Sequence, residues 1–241
     1  MRAPLLPLAL VTFLAGAVQA RDSVVNAPGL PPLQQLVESA RDPDLHWANL
    51  ADVQGDLSRL YTPRNWAPLW FVGDTLTTPA QALIRVLGEA ANRGLDPADY
   101  DAPWLAAQAA KGGGADSGLT ARVDLGLSVA ALRFAAALRH GRVSPAAVHG
   151  TFRLPADSFD VAATVESLSQ TATPNDVLRS LEPPFIHYWL LMAALVRYRE
   201  LARDSSLVEL APLPRKLKPG EPYDDVPSLR RLLRVTGDYH D

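Results

Sequence analysis

The sequence predicts a mostly α-helical protein with little β-strand. Apolar residues recur three and four positions apart in seven or eight segments, which is the spacing of an amphipathic helix. Proline, glycine and aspartate separate these segments and predict short connections between them. Apolar residues also make up 48% of the 241 residues, which is enough for a hydrophobic core. We therefore expect residues 33–203 to form a single helical domain.

The N-terminus has the pattern of a secretory signal peptide over residues 1–20. Arg2 supplies a positive charge, residues 5–18 are apolar, and Ala20 precedes the expected cleavage point. An uncleaved anchor is the alternative, but the apolar run is shorter than the about 20 residues that span a bilayer. Residues 21–32 are expected to be a flexible lead-in. Export without any cysteine favours the bacterial periplasm, with no stable membrane span after cleavage.

Composition excludes several classes of function. The net charge of −3 comes from charges of both signs spread along the chain, so no nucleic-acid partner is expected. The absence of cysteine excludes thiol catalysis and cysteine metal ligands. No Gly-x-Ser-x-Gly sequence occurs, and the histidines lack metal-ligand spacing. We therefore predict no catalytic residue, no metal site and no cofactor. The histidines are His46, His140, His149, His187 and His240.

Two short helices are expected at the start of the domain. The first covers residues 33–40 and ends at the sequence Asp42-Pro43-Asp44. Asp44 is expected to cap the second helix, whose apolar face runs to Tyr61.

Residues 60–71 concentrate aromatic residues and proline. Pro63 and Pro68 block helix continuation and favour extended geometry in the residue before each of them. Trp66 and Trp70 each offer roughly 150–250 Å² of surface for burial. We expect a rigid aromatic corner against which other elements pack. An aromatic platform for a sugar or peptide ligand is the alternative interpretation.

The middle of the chain is expected to be helical. Thr78 and Pro79 have the pattern of a helix start, with a capping hydroxyl and proline in the first turn. Gly94 is placed to end that helix in the left-handed conformation. Residues 94–100 are expected to form a turn that enters a further short helix, and residues 120–138 the longest helix of this region.

Three further helices are expected at residues 160–168, 174–181 and 185–201. The last is strongly apolar but too short to span a membrane, so we expect it to be the central buried helix. His187 within it is expected to be a hydrogen-bonded core histidine.

The composition changes after residue 203. Residues 204–223 contain four prolines and are expected to be a linker. Residues 226–235 then form an amphipathic pattern followed by Gly237. One short helix cannot bury its own apolar stripe, so it either docks on the domain or opens an incomplete module over residues 224–241.

Paired carboxylates offer one alternative route to catalysis. Asp96, Asp99 and Asp101 lie near Tyr100, and glycoside hydrolysis needs two carboxyl groups about 5–10 Å apart. However, aspartate beside proline is ordinary turn and cap chemistry. A carboxylate-dependent wall hydrolase therefore remains a remote alternative.

Asp124 and the turn after residue 139 suggest further contacts. Asp124 lies in an apolar helix, and we expect it to be a buried partner of Arg64 or Arg142. His140 and His149 bracket Arg142 and form a weak candidate for a metal or acid–base pair.

These motifs, taken in order, resemble a known family. The series resembles the N-terminal scaffold region of the large multi-domain murein L,D-transpeptidases of Gram-negative bacteria, over about residues 33–201. The positions that carry the resemblance, which we expect to be structural, are Tyr61, Arg64, Trp66, Pro68, Trp70, Gly94, Leu95, Asp96, Pro97, Tyr100, Asp124, Gly141, Arg142, Pro145, Glu182 and Pro183.

The resemblance implies a place in peptidoglycan metabolism. In that family a peptidoglycan-binding module and a cysteine-dependent catalytic domain accompany the scaffold. Residues 217–238 look like the start of such a module, whereas no Ser/Thr-His-Gly-Cys motif occurs. The resemblance therefore implies a truncated, non-catalytic scaffold portion, with peptidoglycan or cell-wall enzymes as partners. A self-standing periplasmic adaptor that binds peptidoglycan or a wall synthase is the alternative.

Overall fold

The computed structural model describes residues 30–111, 116–143, 148, 150, 158–207, 209–210, 212, 216, 218 and 220–240. These residues contain nine α-helices and one two-stranded antiparallel sheet, so the mostly-α prediction is confirmed. The helices are α1 (Pro32–Ser39), α2 (Gln54–Tyr61), α3 (Thr78–Gly88), α4 (Ala102–Ala110), α5 (Ser117–His140), α6 (Val161–Ser169), α7 (Pro174–Arg179), α8 (Ile186–Leu201) and α9 (Val226–Thr236).

Short elements connect the helices. Strands β1 (Phe71–Val72) and β2 (Thr75–Leu76) pair so that Phe71 faces Leu76. Three 3-10 turns cover Thr62–Arg64, Ala90–Arg93 and Pro97–Tyr100.

Helix α5 lies at the centre of the core. It is 24 residues long, and α1, α3, α4 and α6 pack against it. Leu125, Leu127 and Phe134 on this helix have no exposed surface. Gly126 lets neighbouring side chains approach closely, because a Cβ atom there would lie 2.9 Å from the ring of Trp104. The glycine and alanines of α5 thus let several helices pack closely against it.

The expectation that residues 185–201 form the central buried helix is wrong. No residue of α8 is buried, and Leu191 is 70% exposed. His187 is also exposed, so the core-histidine prediction is wrong as well. Because α8 is apolar around most of its circumference, its sequence does not show which face, if any, meets the core. Burial instead falls on α5, where the fully buried Asp124 and Ser128 have hydrogen-bond partners inside the core.

Several helix boundaries follow local capping chemistry. Helix α3 is capped by Thr77, one residue before the expected position, and the Thr77 hydroxyl accepts from the Ala80 amide at 3.2 Å. Asp44 does not cap α2, which begins ten residues later. Gly94 has φ of +72°, which confirms the expected left-handed conformation, but it ends the 3-10 turn of Ala90–Arg93, because α3 already ends at Gly88.

Helix α9 forms as expected and ends at Gly237, which has φ of +87°. The Nη2 atom of Arg197 on α8 donates to the carbonyl oxygen of Val235 at 3.0 Å. This bond places the end of α9 against α8. The domain boundaries at residues 203 and 223 stay predictions.

Some sequence predictions lie outside the described residues. They include the signal peptide, most of the lead-in, Pro145 and His149. Within the described part of the chain, no helix combines the length and the apolar composition that crossing a bilayer requires.

Candidate functional site

A buried hydrogen-bond network holds the aromatic corner against α5. The Asp124 carboxylate accepts from the Tyr61 hydroxyl at 2.6 Å, the Leu69 amide at 3.0 Å and the Trp70 amide at 2.7 Å. One turn along, the Ser128 hydroxyl accepts from Trp70 Nε1 at 2.8 Å and lies 2.7 Å from the Tyr61 hydroxyl. All these side chains are fully buried, so the rigid-corner interpretation fits and a ligand platform on Trp70 does not.

Burial sets the protonation behaviour of this network. It raises the pKa of Asp124 to about 6, although the bonds to Tyr61, Leu69 and Trp70 oppose the shift. Burial likewise raises the pKa of Tyr61 well above its ordinary value. Because neither group reaches solvent, the network can position the backbone but cannot meet a substrate.

The arginines expected to pair with the buried aspartate bind elsewhere. Arg64 Nε donates to the Leu60 carbonyl oxygen at 2.8 Å, and its Nη2 donates to the exposed Glu166 at 3.2 Å. Arg142 pairs with Asp99. The expected direct ion pair is therefore wrong, and a tyrosine and two backbone amides take its place.

Trp66 and Pro68 lie on the outer side of the corner. The Trp66 ring is half-buried and stacks on Tyr61 with 6.3 Å between ring centroids. Trp66 has φ of +62°, and Pro68 is exposed. Of the two tryptophans, only Trp66 keeps part of its ring accessible.

The signature around residues 94–100 forms a turn. Leu95 is half-buried against the core, and the Asp96 carboxylate accepts from the Ala98 amide at 2.9 Å. Pro97 then starts the 3-10 turn. Asp96 therefore acts as a cap.

Glu182 and Arg93 form a nearly buried ion pair. The Glu182 carboxylate accepts from Arg93 Nε at 2.6 Å, and Arg93 Nη2 donates to Asn175 at 3.0 Å. Pro183 follows as a half-buried residue before α8. This pair ties the turn after α3 to the segment before α8.

An open groove of about 800 Å³ lies on another face of the domain. The segment before α2, the Pro97–Tyr100 turn and the C-terminal half of α5 form its walls. Its volume lies within the about 300–1,000 Å³ that is usual for ligand sites. Its polar and aromatic lining consists of His46, Trp47, Asn49, Asp52, Asp56, Asp99, Tyr100, Arg133, His140 and Arg142, and Gly141 also lines it.

Arg133 fixes one wall of the groove. Its Nη1 donates to the Trp47 carbonyl oxygen at 3.2 Å, and its Nη2 donates to the Asn49 carbonyl oxygen at 2.7 Å. Nε and Nη2 also bind the two oxygens of Asp52, at 3.0 and 2.7 Å. Hydrogen bonding to Arg133 lowers the pKa of Asp52. The loop of residues 46–53 is therefore held in place by one side chain of α5.

Asp99 and Asp101 hold the other end of that loop. Asp99 pairs with Arg142 and lies 3.6 Å from His46 Nε2. The Asp101 carboxylate accepts from the His46 amide at 2.7 Å, and burial raises the pKa of Asp101. Tyr100 between them packs edge-on against Phe134, with 5.0 Å between ring centroids.

The carboxylates expected to work together have separate roles. Asp96 caps a turn, Asp99 faces the groove, and Asp101 lies behind the groove and binds backbone. Of the carboxylates that line the groove, Asp52 has a pKa lowered by hydrogen bonding to Arg133, whereas a general acid for glycoside hydrolysis requires a raised pKa. The described residues also contain no group of three side chains that could hold a metal ion.

Sequence reasoning missed Trp47 and Arg133. The signal for Arg133 was available, because it is a lone arginine between apolar residues of a long helix. Trp47 offered no comparable signal, since its loop has no periodic pattern.

Comparison with known proteins gives one match. A family model described as Scaffold domain matches residues 55–195, which is more than half of the chain. Neither the curated proteins nor the solved structures give a match.

Proposed function

The chain belongs to the scaffold-domain family, and from this premise we propose that it is the non-catalytic scaffold portion of an L,D-transpeptidase-like protein of peptidoglycan metabolism. The observation that carries the proposal is that the signature residues form buried hydrogen bonds and an ion pair within the domain. Tyr61 and Trp70 both donate to the Asp124 carboxylate out of reach of solvent, and Glu182 pairs with Arg93. Side chains used in this way favour a structural role for the domain over a catalytic one.

Transpeptidase chemistry of this kind uses a cysteine nucleophile. The 241 residues contain no cysteine, so we propose that a separate domain supplies the reaction. The periplasm is the proposed compartment, on the strength of the signal-peptide pattern at residues 1–20. Peptidoglycan and the enzymes that act on it are the proposed partners.

The first test is co-sedimentation of the purified chain with insoluble peptidoglycan sacculi. Muropeptides from the same tubes are analysed by chromatography, with the sacculi alone as the control. Binding without new muropeptides is the expected result. New muropeptides would overturn the non-catalytic assignment and favour the wall hydrolase. If the chain neither binds the sacculi nor releases new muropeptides, the result would contradict a role for it at the wall.

A self-standing adaptor is the second candidate. The bond from Arg197 to the Val235 carbonyl oxygen favours it, because an adaptor is expected to dock its last helix on the domain. Amide hydrogen exchange across α9 tests this point. Strong protection that is lost in Arg197→Ala, but kept in Arg203→Ala, would support the adaptor. Unprotected amides across α9 in the native chain would count against it.

A further inference from the structure

Trp47 presents an aromatic surface at the rim of the groove. The residue is 47% exposed, although a tryptophan ring gains free energy from burial. Its loop is nevertheless fixed on both sides, by the bond from the His46 amide to Asp101 and by the bonds from Arg133 to the Trp47 and Asn49 carbonyl oxygens. An exposed ring on a fixed backbone is prepared for contact at a low entropic cost of binding.

The charged side chains in the groove already neutralise one another. Asp52 is paired with Arg133, and Asp99 is paired with Arg142 beside His46. The third carboxylate of the lining, Asp56, is paired with Arg59 at 3.3 Å. The groove therefore lacks the excess of one charge that would attract a phosphate group or a polycation. It still offers carboxylate oxygens that accept hydrogen bonds next to guanidinium groups that donate them.

A carbohydrate matches this combination. Each sugar hydroxyl both donates and accepts hydrogen bonds, so it can use a carboxylate and a neighbouring guanidinium together. The C–H face of a pyranose ring is apolar and can stack on an exposed indole. The groove is open at the surface and has a volume of about 800 Å³, so a chain of several sugars can lie along it.

We propose that the groove binds a glycan of alternating N-acetylated amino sugars, with Trp47 as the stacking surface and Asp99 and Arg142 as the polar contacts. This inference rests on the proposed function, from which the peptidoglycan strand follows as the source of the glycan. It goes further by placing recognition in the glycan rather than in the stem peptide. The aromatic surface that contacts the ligand then lies in the loop of residues 46–53 and not in residues 60–71.

Calorimetric titration of the full chain tests the proposal. The probes are peptide-free glycan oligosaccharides from sacculi, chitin oligosaccharides and the free stem tripeptide. Binding of the peptide-free glycan, with no binding of the tripeptide, is the expected result. Binding of the tripeptide alone, or of no probe, would overturn the proposal. Equal affinity for chitin would support a glycan site but would overturn peptidoglycan as its specific source.

Matched variants locate the site. Trp47→Ala is expected to weaken glycan binding by about two- to tenfold, which corresponds to one aromatic contact. Trp47→Tyr should recover part of that loss. Trp189→Ala is the control, because Trp189 is an exposed tryptophan on α8 that lies outside the groove lining. Equal effects of Trp47→Ala and Trp189→Ala would contradict the proposed site.

The polar contacts have their own pair of variants. Asp99→Asn should weaken glycan binding, whereas Asp44→Asn should not, since Asp44 pairs with Arg122 outside the groove lining. Thermal unfolding of each variant checks that it is folded. Binding of sacculi without affinity for any free glycan would sink this inference and leave the proposed function standing. Glycan binding that needs Trp47, without binding of sacculi, would support the glycan site and contradict the proposed function at the wall.

Discussion

Tyr61 donates a hydrogen bond of 2.6 Å to the carboxylate of Asp124, 63 positions further along the chain. This bond joins the last residue of α2 to the first third of α5. The same carboxylate accepts from the amides of Leu69 and Trp70, so one buried acid binds both ends of the aromatic corner. A corner fixed in this way gives the domain a rigid edge.

Tyr61→Phe is expected to lower the free energy of unfolding by about 1–3 kcal/mol, because it removes a hydroxyl from a buried network and leaves its partners short of a bond. Urea denaturation measures the change. Tyr198→Phe is the matched control, since Tyr198 is half exposed on α8 and should change the value by less than about 0.5 kcal/mol. Equal losses in the two variants would show that the network does not carry the predicted free energy.

The buried carboxyl should also give stability a distinctive pH dependence. Its pKa is about 6 in the folded protein, above the about 3.9 of an unfolded aspartate. Between these values the native state of Asp124 holds the extra proton, so stability falls as pH rises. The decrease from this group is about 3 kcal/mol in total and ends near pH 6.

Urea denaturation at a series of pH values, compared with Asp124→Asn, isolates that contribution. The difference in free energy between the two proteins should change between about pH 4 and pH 6. Carbon-13 NMR of the Asp124 carboxyl group gives an independent reading that does not need the variant to fold. A titration midpoint near 3 would contradict the prediction.

The aromatic corner and the turn at Gly94 could be predicted from the sequence because each depends on local chemistry. Proline blocks a helix, glycine adopts a positive φ, and aspartate caps a turn wherever the rest of the chain lies. The same local reasoning failed for α8. Its apolar residues face nearly every direction, and only the packing of the other helices decides which surface is covered.

The groove could not be predicted in the same way. Arg133 contacts residues 47–52 across 81 to 86 positions in the sequence, and nothing in either segment indicates the other. The partner of Asp124 was missed for a related reason. A buried carboxylate was expected to need an arginine, but backbone amides at residues 69 and 70 supply the hydrogen bonds instead.

Gly126→Ala is expected to destabilise the protein by about 1–3 kcal/mol, because the new Cβ would overlap the core. It would lie 2.9 Å from the Trp104 ring and 3.3 Å from a methyl group of Leu45. Gly55→Ala on α2 is the control, since nothing lies within 4 Å of its Cβ position. That change should be neutral or stabilising by helix propensity. Thermal unfolding of both variants measures the contrast. A melting temperature for Gly126→Ala that is no lower than that of Gly55→Ala would contradict the prediction.

Arg133→Lys should loosen the groove wall without changing the net charge. A lysine ammonium cannot reach Asp52 and two carbonyl oxygens in the fork geometry that the guanidinium uses. Amide hydrogen exchange in the peptide covering residues 46–52 should therefore become faster. Arg122→Lys is the control, because its pair with Asp44 is exposed and should have little effect. Unchanged exchange in Arg133→Lys would show that other contacts hold the loop.

Substitutions on α8 and α5 decide which helix carries the core. Leu191→Gln should change the free energy of unfolding by less than about 0.5 kcal/mol, since Leu191 is 70% exposed and glutamine is nearly as good a helix former as leucine. Leu132→Gln on α5 should cost about 2–5 kcal/mol, because Leu132 is 1% exposed and an amide there would be buried without partners. Urea denaturation of the two variants measures the contrast. A large loss for Leu191→Gln would contradict the exposure of α8 and favour the sequence-based expectation that this apolar helix is buried.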